Sequence, residues 1–326
     1  MSREWNFHPE LPVAYSPLFE WPPRPRAIAG WFSRAWLPIS EHLIYVALAL
    51  AVLAWLQPPL NETATLEAWW IFEIWARNMI MFIAVAGGLH LWLYTWRKQG
   101  DRLKYDYRDL AANNGTFAFR SQLWDNVMWG LASGVTFWTA YEAGMFWAYS
   151  NGWAPIMTFS DNPIWFLAVF LLIPVYHSFH FYWVHRLLHW PPLYRLAHSV
   201  HHRNVNTGPW SGFSMHPVEH FIYVSGILVH LIVPSDPIHM VFHMYWITLA
   251  TATSHSGYES VLLGDRAKVD VGTFFHQLHH RYFECNYGNM EMPWDRWFGS
   301  YHDGSPEGTA AARARMRAKM VNRVSK

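Results

Sequence analysis

The stretch HRLLHWPPLYRLAHSVHH occupies residues 185–202 and contains five histidines. A second histidine-rich stretch, HQLHH, follows at residues 276–280. On a helix, side chains three or four positions apart lie on one face, so His185 pairs with His189, and His198 faces both His201 and His202. The histidines form three short boxes: His185, His189, His198, His201, His202, His276, His279 and His280. This spacing predicts a metal site that holds more than one ion.

The number of clustered histidines indicates how many ions the boxes hold. Neutral imidazole binds Zn, Cu, Fe and Ni, and a single zinc takes three or four protein ligands. The eight boxed imidazoles are too many for one ion. Four ligands for each of two ions is the natural division, and further ligands would bring each ion towards five-coordination with room for dioxygen or water. The histidines that stand alone elsewhere are typical of ordinary hydrogen-bonded side chains.

The composition of the 326 residues is that of a membrane protein. The chain is 52% hydrophobic and 14% charged, against about 25% charged for a soluble domain. Its 22 Trp, 16 Tyr and 21 Phe suit the aromatic belts at membrane interfaces. A net charge of +1, without a basic stripe interleaved with aromatics, argues against a nucleic-acid partner. A single cysteine excludes an internal disulfide framework.

Four apolar stretches approach the length of about 20 helical residues that crosses a bilayer. They run from Ile39 to Leu56, from Trp69 to Trp96, from Leu123 to Tyr149 and from Pro163 to about Val184. Basic residues fall in the N-terminal arm and in the loop 97–120, and they are absent from the loops 57–68 and 150–162. This alternation predicts that both termini and the active site, which begins where the fourth span ends, are cytoplasmic.

The remaining apolar region, residues 219–253, is broken by the sequence PSDP at 234–237. Its two arms are short, which favours a hairpin that enters the membrane and returns over two full crossings. The expected fold class is therefore an all-α integral membrane protein, with about four transmembrane helices, a re-entrant helical hairpin and a cytoplasmic helical cap that carries the histidine boxes. The expected domains are an N-terminal peripheral arm (1–38), N-terminal membrane spans (39–162), a catalytic domain (163–302) and a basic tail (303–326).

The boxes HRLLH, HSVHH and HQLHH resemble those of the fatty acid hydroxylase/sterol desaturase superfamily of integral-membrane di-iron oxidases. HPVEH at 216–220, HSGYE at 255–259 and NYG…PWDRWFGS at 286–300 are similar to three further elements of that superfamily. These elements look most like the methylsterol-oxidase and sterol-desaturase branch. The resemblance covers roughly residues 165 to 302, and the N-terminal half matches only as a set of membrane spans.

The resemblance implies that the eight boxed histidines bind metal and act in catalysis, and that His255 is a ninth ligand. It also draws attention to His216, Glu219, His220 and Glu259. Ligating imidazoles usually donate their other N–H to a carboxylate or carbonyl, so these four are candidates for supporting groups around the ligands. Glu259 could also ligate, and the sequence leaves the roles of His216 and His220 open.

The resemblance further implies two iron ions as cofactors and O2 as co-substrate. Such a centre hydroxylates or desaturates a C–H bond of a lipid, either a sterol or a fatty-acyl lipid, and both outcomes are compatible with the motifs. The chain has no Gly-rich nucleotide fingerprint and no CxxCH haem motif, so electrons are expected from a cytochrome b5-like or ferredoxin-like protein. Basic residues beside the boxes suit such a carrier or simply follow the membrane charge rule: Arg186, Arg195, Arg203 and Arg281.

Two alternatives to an oxidase stay open at this stage. A membrane electron carrier would pair histidines such as His90 and His180 on a haem, but it leaves the boxes unexplained. A catalytically inactive scaffold of the same family is disfavoured by the intact boxes. The abundance of Arg over Lys and the lack of a lysine-based retrieval tail favour a bacterial inner membrane, with the endoplasmic reticulum as the location in a eukaryote.

Overall fold

The computed structural model describes residues 5–36, 40–264 and 267–324. Residue 39, where the first predicted span begins, lies outside the described residues, as do the ends of the predicted arm (1–4 and 37–38) and tail (325–326). The helices are α1 (Pro25–Trp36), α2 (Glu41–Trp55), α3 (Ala68–Thr95), α4 (122–150), α5 (Pro163–Leu188), α6 (191–202), α7 (Pro217–Leu231), α8 (Pro237–Ser254), α9 (Phe274–Tyr282), α10 (Trp294–Trp297) and α11 (Pro306–Val324). Short 3-10 turns lie at Pro17–Phe19, Leu60–Thr63 and Ala118–Arg120.

Three of the helices that position the histidines, α5, α8 and α9, begin at side-chain caps. The Asn162 side chain accepts the backbone N–H of Trp165 at 3.0 Å at the start of α5, and Asp236 accepts that of Ile238 at 3.0 Å at the start of α8. Thr273 does the same for His276 of α9 at 3.3 Å. Each cap satisfies an N–H that has no partner within its helix. These caps fix the starting points of α5, α8 and α9.

Two helices among the described residues are long and apolar enough to cross a membrane, α3 and α5, and α1 with α2 forms a bent pair that would make a third. The predicted third span is helical as α4, but it carries Asp125 and Glu142. Glu142 is buried and pairs with Arg77 of α3 at 2.5 Å. The structure is therefore mostly helical with two or three candidate membrane spans.

A two-stranded sheet contradicts the all-α expectation. Strand β1 (His255–Leu263) follows α8 directly and pairs antiparallel with β2 (Ala267–Gly272). The sequence HSGYESVLL contains Tyr258 and Val261 and lacks a helical repeat of apolar residues, which suits a strand. Gly264 follows β1 with φ +68°, a conformation that glycine adopts without steric cost. The sheet fixes the backbone between His255 and the third box.

Helix α8 lies at the centre of the hydrophobic core. It is buried along almost all of its length and packs against α2, α4 and α5. Because the helix is buried on every side, its apolar residues are spread around its whole circumference and it has no polar face. Its C-terminal end therefore delivers His255 into the interior of the protein.

The N-terminal arm packs on the third histidine box. The Trp5 ring contacts that of Phe274 edge-on at 5.0 Å, and the Tyr15 ring meets Phe275 at 5.6 Å. The backbone N–H of Ser16 donates to the carbonyl of Met290 at 3.0 Å. The arm thus covers α9 and holds the loop that follows it.

Candidate metal centre

The nine predicted ligands lie in two buried clusters. The five-histidine cluster contains His185, His189, His198, His202 and His279. The four-histidine cluster contains His201, His255, His276 and His280. Within each cluster the ligand atoms all lie within 4.8 Å of one another. The structure thus brings together every histidine that the boxes and the resemblance singled out.

The division of the boxes between the clusters differs from the one expected on the sequence. His201 is separated from its neighbours His198 and His202, because consecutive side chains on a helix point about 100° apart. For the same reason His276 and His280, four residues apart, enter one cluster, while His279 enters the other. Instead of four boxed histidines for each ion, five lie in one cluster and three in the other, and His255 completes the second cluster as its fourth histidine.

The path of the chain after α5 explains how the first two boxes meet. His189 caps the C-terminus of α5, and the Pro191–Pro192 pair that follows cannot continue that helix. The chain turns and re-enters a helix whose Tyr194–His198 segment is π-helical. His189 and His202 then approach each other, with 3.1 Å between their Nε2 atoms.

The contacts between ring nitrogens in the four-histidine cluster cannot all be hydrogen bonds. The three Nε2 atoms of His255, His276 and His280 are 3.1, 3.1 and 3.2 Å apart. A ring nitrogen is either a donor or an acceptor, so a triangle always contains one pair of the same kind. A shared cation removes this conflict, because all three nitrogens can then direct lone pairs at it. The arrangement fits a metal ion better than a hydrogen-bond network.

Several Nδ1 atoms are held by acceptors outside the clusters. His185 Nδ1 donates to the Tyr287 carbonyl at 2.7 Å, and His279 Nδ1 donates to the Cys285 carbonyl at 2.6 Å. His255 Nδ1 lies 2.9 Å from the Thr251 carbonyl. A proton fixed on Nδ1 leaves Nε2 with its lone pair, which is the usual arrangement of ligating histidines.

The charge state of the clusters also suits ligands. Burial lowers the pKa of His198 to about 3 and that of His201 to about 4. Burial likewise holds the pKa values of His279 and His280 well below the ordinary value for histidine. These imidazoles are therefore neutral at physiological pH, and the neutral form is the one that binds metal.

A cavity of about 250 Å³ reaches both clusters. His185 and His198 of the five-histidine cluster and His201, His255 and His276 of the four-histidine cluster lie in its wall. Much of the remaining wall is apolar and includes Phe181, Leu188, Tyr223, Trp246 and Phe275. The cavity therefore has space for an apolar molecule next to the histidines.

The fatty acid hydroxylase family profile matches residues 131–300, which is just over half of the chain. The chain belongs to the fatty acid hydroxylase family. This confirms the resemblance of the boxes and extends it towards the N-terminus, since the match begins within α4. Motifs alone had placed the start near residue 165.

Three curated relatives of this chain are named as sterol desaturases. It is 30% identical over 147 residues to a Delta(7)-sterol 5(6)-desaturase of Gibberella zeae, covering 44% of each chain. It is 35% identical over 120 residues to that of Saccharomyces cerevisiae, covering 37% of this chain and 32% of the relative. For one of Aspergillus fumigatus the identity is 29% over 168 residues, covering 50% and 48%. The chain thus spans less than half the length of these relatives, and no solved structure matches it.

The four candidate supporting residues of this family member occupy different places. Glu219 contacts a cluster histidine, with 2.7 Å between its Oε1 and His198 Nδ1. His216 caps α7 and accepts the Val218 N–H at 3.2 Å. His220 lies 2.9 Å from the Ser133 hydroxyl, and Glu259 accepts the Tyr105 hydroxyl at 2.6 Å. Among the described residues, none of these four side chains belongs to a cluster.

The structure adds groups that the sequence did not single out. The carbonyls of Thr251, Cys285 and Tyr287 orient ligands, and a backbone carbonyl carries no sequence signal. Glu41 lines the cavity although it lies far from the boxes in the chain, and His177, two turns before His185 on α5 and near enough in the sequence to be expected at the site, lines it too. The proposed haem pair receives no support, since His90 stacks on Tyr94 and His180 lies 3.2 Å from the Ser225 hydroxyl.

Replacing Glu219 with Gln is expected to weaken metal binding at the five-histidine cluster about 10–100-fold, the usual effect of losing an outer carboxylate. The amide accepts a weaker hydrogen bond from His198 Nδ1 and leaves that ring less firmly oriented. Metal affinity is measured by competition with a chelator. Glu259→Gln is the matched control, because Glu259 bonds to Tyr105 and lies outside both clusters. An equal loss in both variants would show that Glu219 has no special role.

Proposed function

We propose that this chain is an integral-membrane di-iron oxidase that hydroxylates or desaturates a C–H bond of a lipid. The observation that carries the proposal is the meeting of two buried histidine clusters at one apolar cavity. Because the relatives are named as Delta(7)-sterol 5(6)-desaturases, a sterol, which is an alcohol with an apolar ring system, is the first lipid class to test. A fatty-acyl lipid is the second.

The nine clustered histidines would hold the two iron ions, five at one and four at the other. The ligand set favours iron because it is all imidazole, without the cysteine thiolates typical of structural zinc sites. Zinc cannot change oxidation state, whereas iron, when bound here with O2 and two electrons, supplies the oxidising power to remove hydrogen from an unactivated C–H bond.

The protein's own part in the reaction is to orient the ligands and exclude water. The carbonyls of Tyr287, Cys285 and Thr251 hold the histidine protons on Nδ1, so that the Nε2 lone pairs face the centre. The rings of Phe181, Trp246 and Phe275 line the cavity and keep the reacting carbon away from bulk water. A small shift of the lipid along this wall would select between hydroxylation and desaturation.

The membrane arrangement is part of the proposal. We place α3 and α5 across the bilayer together with α4 and the α1–α2 pair, and we treat α7 and α8 as a re-entrant hairpin. The distribution of Lys and Arg supports cytoplasmic termini and a cytoplasmic active site. The C-terminal end of α5, which carries His185, then lies at the cytoplasmic interface. The same pattern suits a bacterial inner membrane, or the endoplasmic reticulum in a eukaryote.

An external protein would supply the two electrons, and a cytochrome b5-like or ferredoxin-like carrier fits. Three of the basic residues near the clusters already make contacts within the chain. Arg203 pairs with Asp125 at 2.8 Å, Arg186 lies over the Tyr287 ring at 4.5 Å, and Arg281 lies over the Trp5 ring at 4.1 Å. Arg195 is exposed, so the electron carrier is most directly tested at that residue.

Comparative lipidomics of cells with and without the chain tests this function. One lipid class is expected to gain one oxygen atom or to lose two hydrogen atoms only when the intact protein is present. The control is the double variant His201→Ala, His279→Ala, which removes one ligand from each cluster. Oxidation of the same lipid by the double variant would instead favour an inactive scaffold beside another enzyme. A Soret band without non-haem iron would favour the electron carrier.

A further inference from the structure

The cavity wall contains a polar patch that the proposed oxidation does not use. It is formed by Glu41 at the start of α2 and by Asn289 and Glu291 in the loop after the third box. None of the three belongs to a histidine cluster among the described residues. The patch and the clusters therefore face one cavity but are separate groups.

Each residue of the polar patch has a buried oxygen atom without a partner. Glu41 Oε1, Asn289 Oδ1 and Glu291 Oε2 are inaccessible to solvent and accept no hydrogen bond from the described residues. A buried polar atom left in this state destabilises the fold, and native proteins satisfy nearly all such atoms. Three of them in one cavity wall indicate a ligand that supplies the missing hydrogen bonds.

The backbone that carries two of these oxygens is firmly held. The Ser16 hydroxyl donates to the Glu291 carbonyl at 2.7 Å, and the Ser16 N–H donates to the Met290 carbonyl at 3.0 Å. On the other side of the patch, Thr253 of α8 lies beside the Glu41 carboxylate. The backbone around the patch is thus fixed, and this limits how far the three side chains can move.

The charge around the patch limits which head group fits. No Lys or Arg is found among the described residues that line the cavity, so a phosphate or carboxylate head would meet two acids without a compensating cation. Burial raises the pKa of Glu291 to about 7, which makes both its acid and its carboxylate form available near neutral pH. A hydroxyl group suits this environment, since it donates one hydrogen bond and accepts another.

We propose that Glu41, Asn289 and Glu291 bind the hydroxyl head of an otherwise apolar lipid. The hydrocarbon then lies along Phe181, Trp246 and Phe275, and the distance from the hydroxyl to the histidine clusters selects the carbon that reacts. That this lipid is a substrate rests on the proposed function. That its hydroxyl binds to the polar patch does not.

The test compares probes that share a chain and differ in the head. Tritiated hexadecan-1-ol, hexadecane and hexadecylamine are equilibrated with the purified full-length protein in detergent, under argon and without an electron donor. The protein is expected to bind the alcohol at least about tenfold more tightly than the alkane, after correction for partition into micelles, because a hydrogen bond to an ionisable group contributes a factor of that size. Equal affinities, no saturable binding of the alcohol, or a preference for the amine would overturn the proposal.

The variant Glu41→Leu, Glu291→Leu is expected to bind alcohol and alkane equally, with alkane binding kept as the sign of an intact cavity. If this variant does not fold, Glu41→Gln, Glu291→Gln is used, and its preference for the alcohol is expected to fall severalfold. Glu73→Gln is the control, since Glu73 is exposed on α3. An unchanged preference in the double variants would overturn the proposal.

The two proposals fail in different ways. Lipid oxidation by a protein without any preference for the alcohol would overturn the hydroxyl site alone. A clear preference for the alcohol in a protein that oxidises no lipid would overturn the oxidase and keep the hydroxyl site.

Discussion

Replacing His276 with Ala is expected to leave one iron per chain, the ion in the five-histidine cluster. Replacing His279, three residues later on the same helix, is expected to leave the ion in the four-histidine cluster instead. His276 Nε2 lies in a triangle with the Nε2 atoms of His255 and His280 in the four-histidine cluster, whereas His279 Nε2 lies 3.0 Å from His202 Nε2 in the five-histidine cluster. Loss of a direct ligand should exceed the roughly 10–100-fold loss of affinity that follows removal of an outer partner. Lipid oxidation should fall to the background in both variants, since the proposed chemistry uses both ions.

Metal content per chain after iron loading measures this effect, and a difference in the iron spectra of the two variants shows that the remaining ions are distinct. His8→Ala is the control, because His8 is exposed and belongs to neither cluster. If each variant lost both ions, and the spectra of the two variants did not differ, the two clusters would not be separable metal sites.

The spacing of the boxes was sufficient to find the candidate ligands but not to assign them to clusters. Helical spacing separates the consecutive residues His279 and His280, but it places His276 on one face with both of them. What the sequence does not contain is the direction from which α6 approaches, and this direction decides that His202 joins His279 while His201 joins His276. Such an assignment depends on tertiary contacts and on the π-helical turn before His198.

The fold shows a similar limit. Hydropathy located α3 and α5 as candidate spans, because both are long and apolar while less than half of their apolar stretch is buried within the protein. Hydropathy cannot decide whether α8 lies in the protein core or in the membrane, since a helix buried inside a protein is as apolar as one in a bilayer. The β1–β2 sheet was missed because HSGYE was interpreted as a metal-binding motif, although its Tyr and the Val and Leu that follow are typical of a strand.

The replacement of Gly212 with Ala is expected to remove metal from the four-histidine cluster while the five-histidine cluster keeps its ion. A Cβ atom at position 212 would lie 2.0 Å from the Thr251 carbonyl oxygen and 2.8 Å from His255 Nδ1. The Thr251 carbonyl is also the group 2.9 Å from His255 Nδ1 that holds its proton. Relief of the clash must therefore move either this carbonyl or the His255 ring, and both movements disturb the Nε2 lone pair.

The loss of affinity at this cluster should be about 10–100-fold or greater, as for other disturbed outer partners, and chelator competition measures it. Gly144→Ala is the matched control, because its added Cβ meets no atom within 4 Å. Since the atoms nearest to the added Cβ belong to Thr251 and His255, a variant that folds and loses both ions equally would contradict this route. A variant with unchanged affinity at both clusters would show that the backbone near Gly212 can move without disturbing His255.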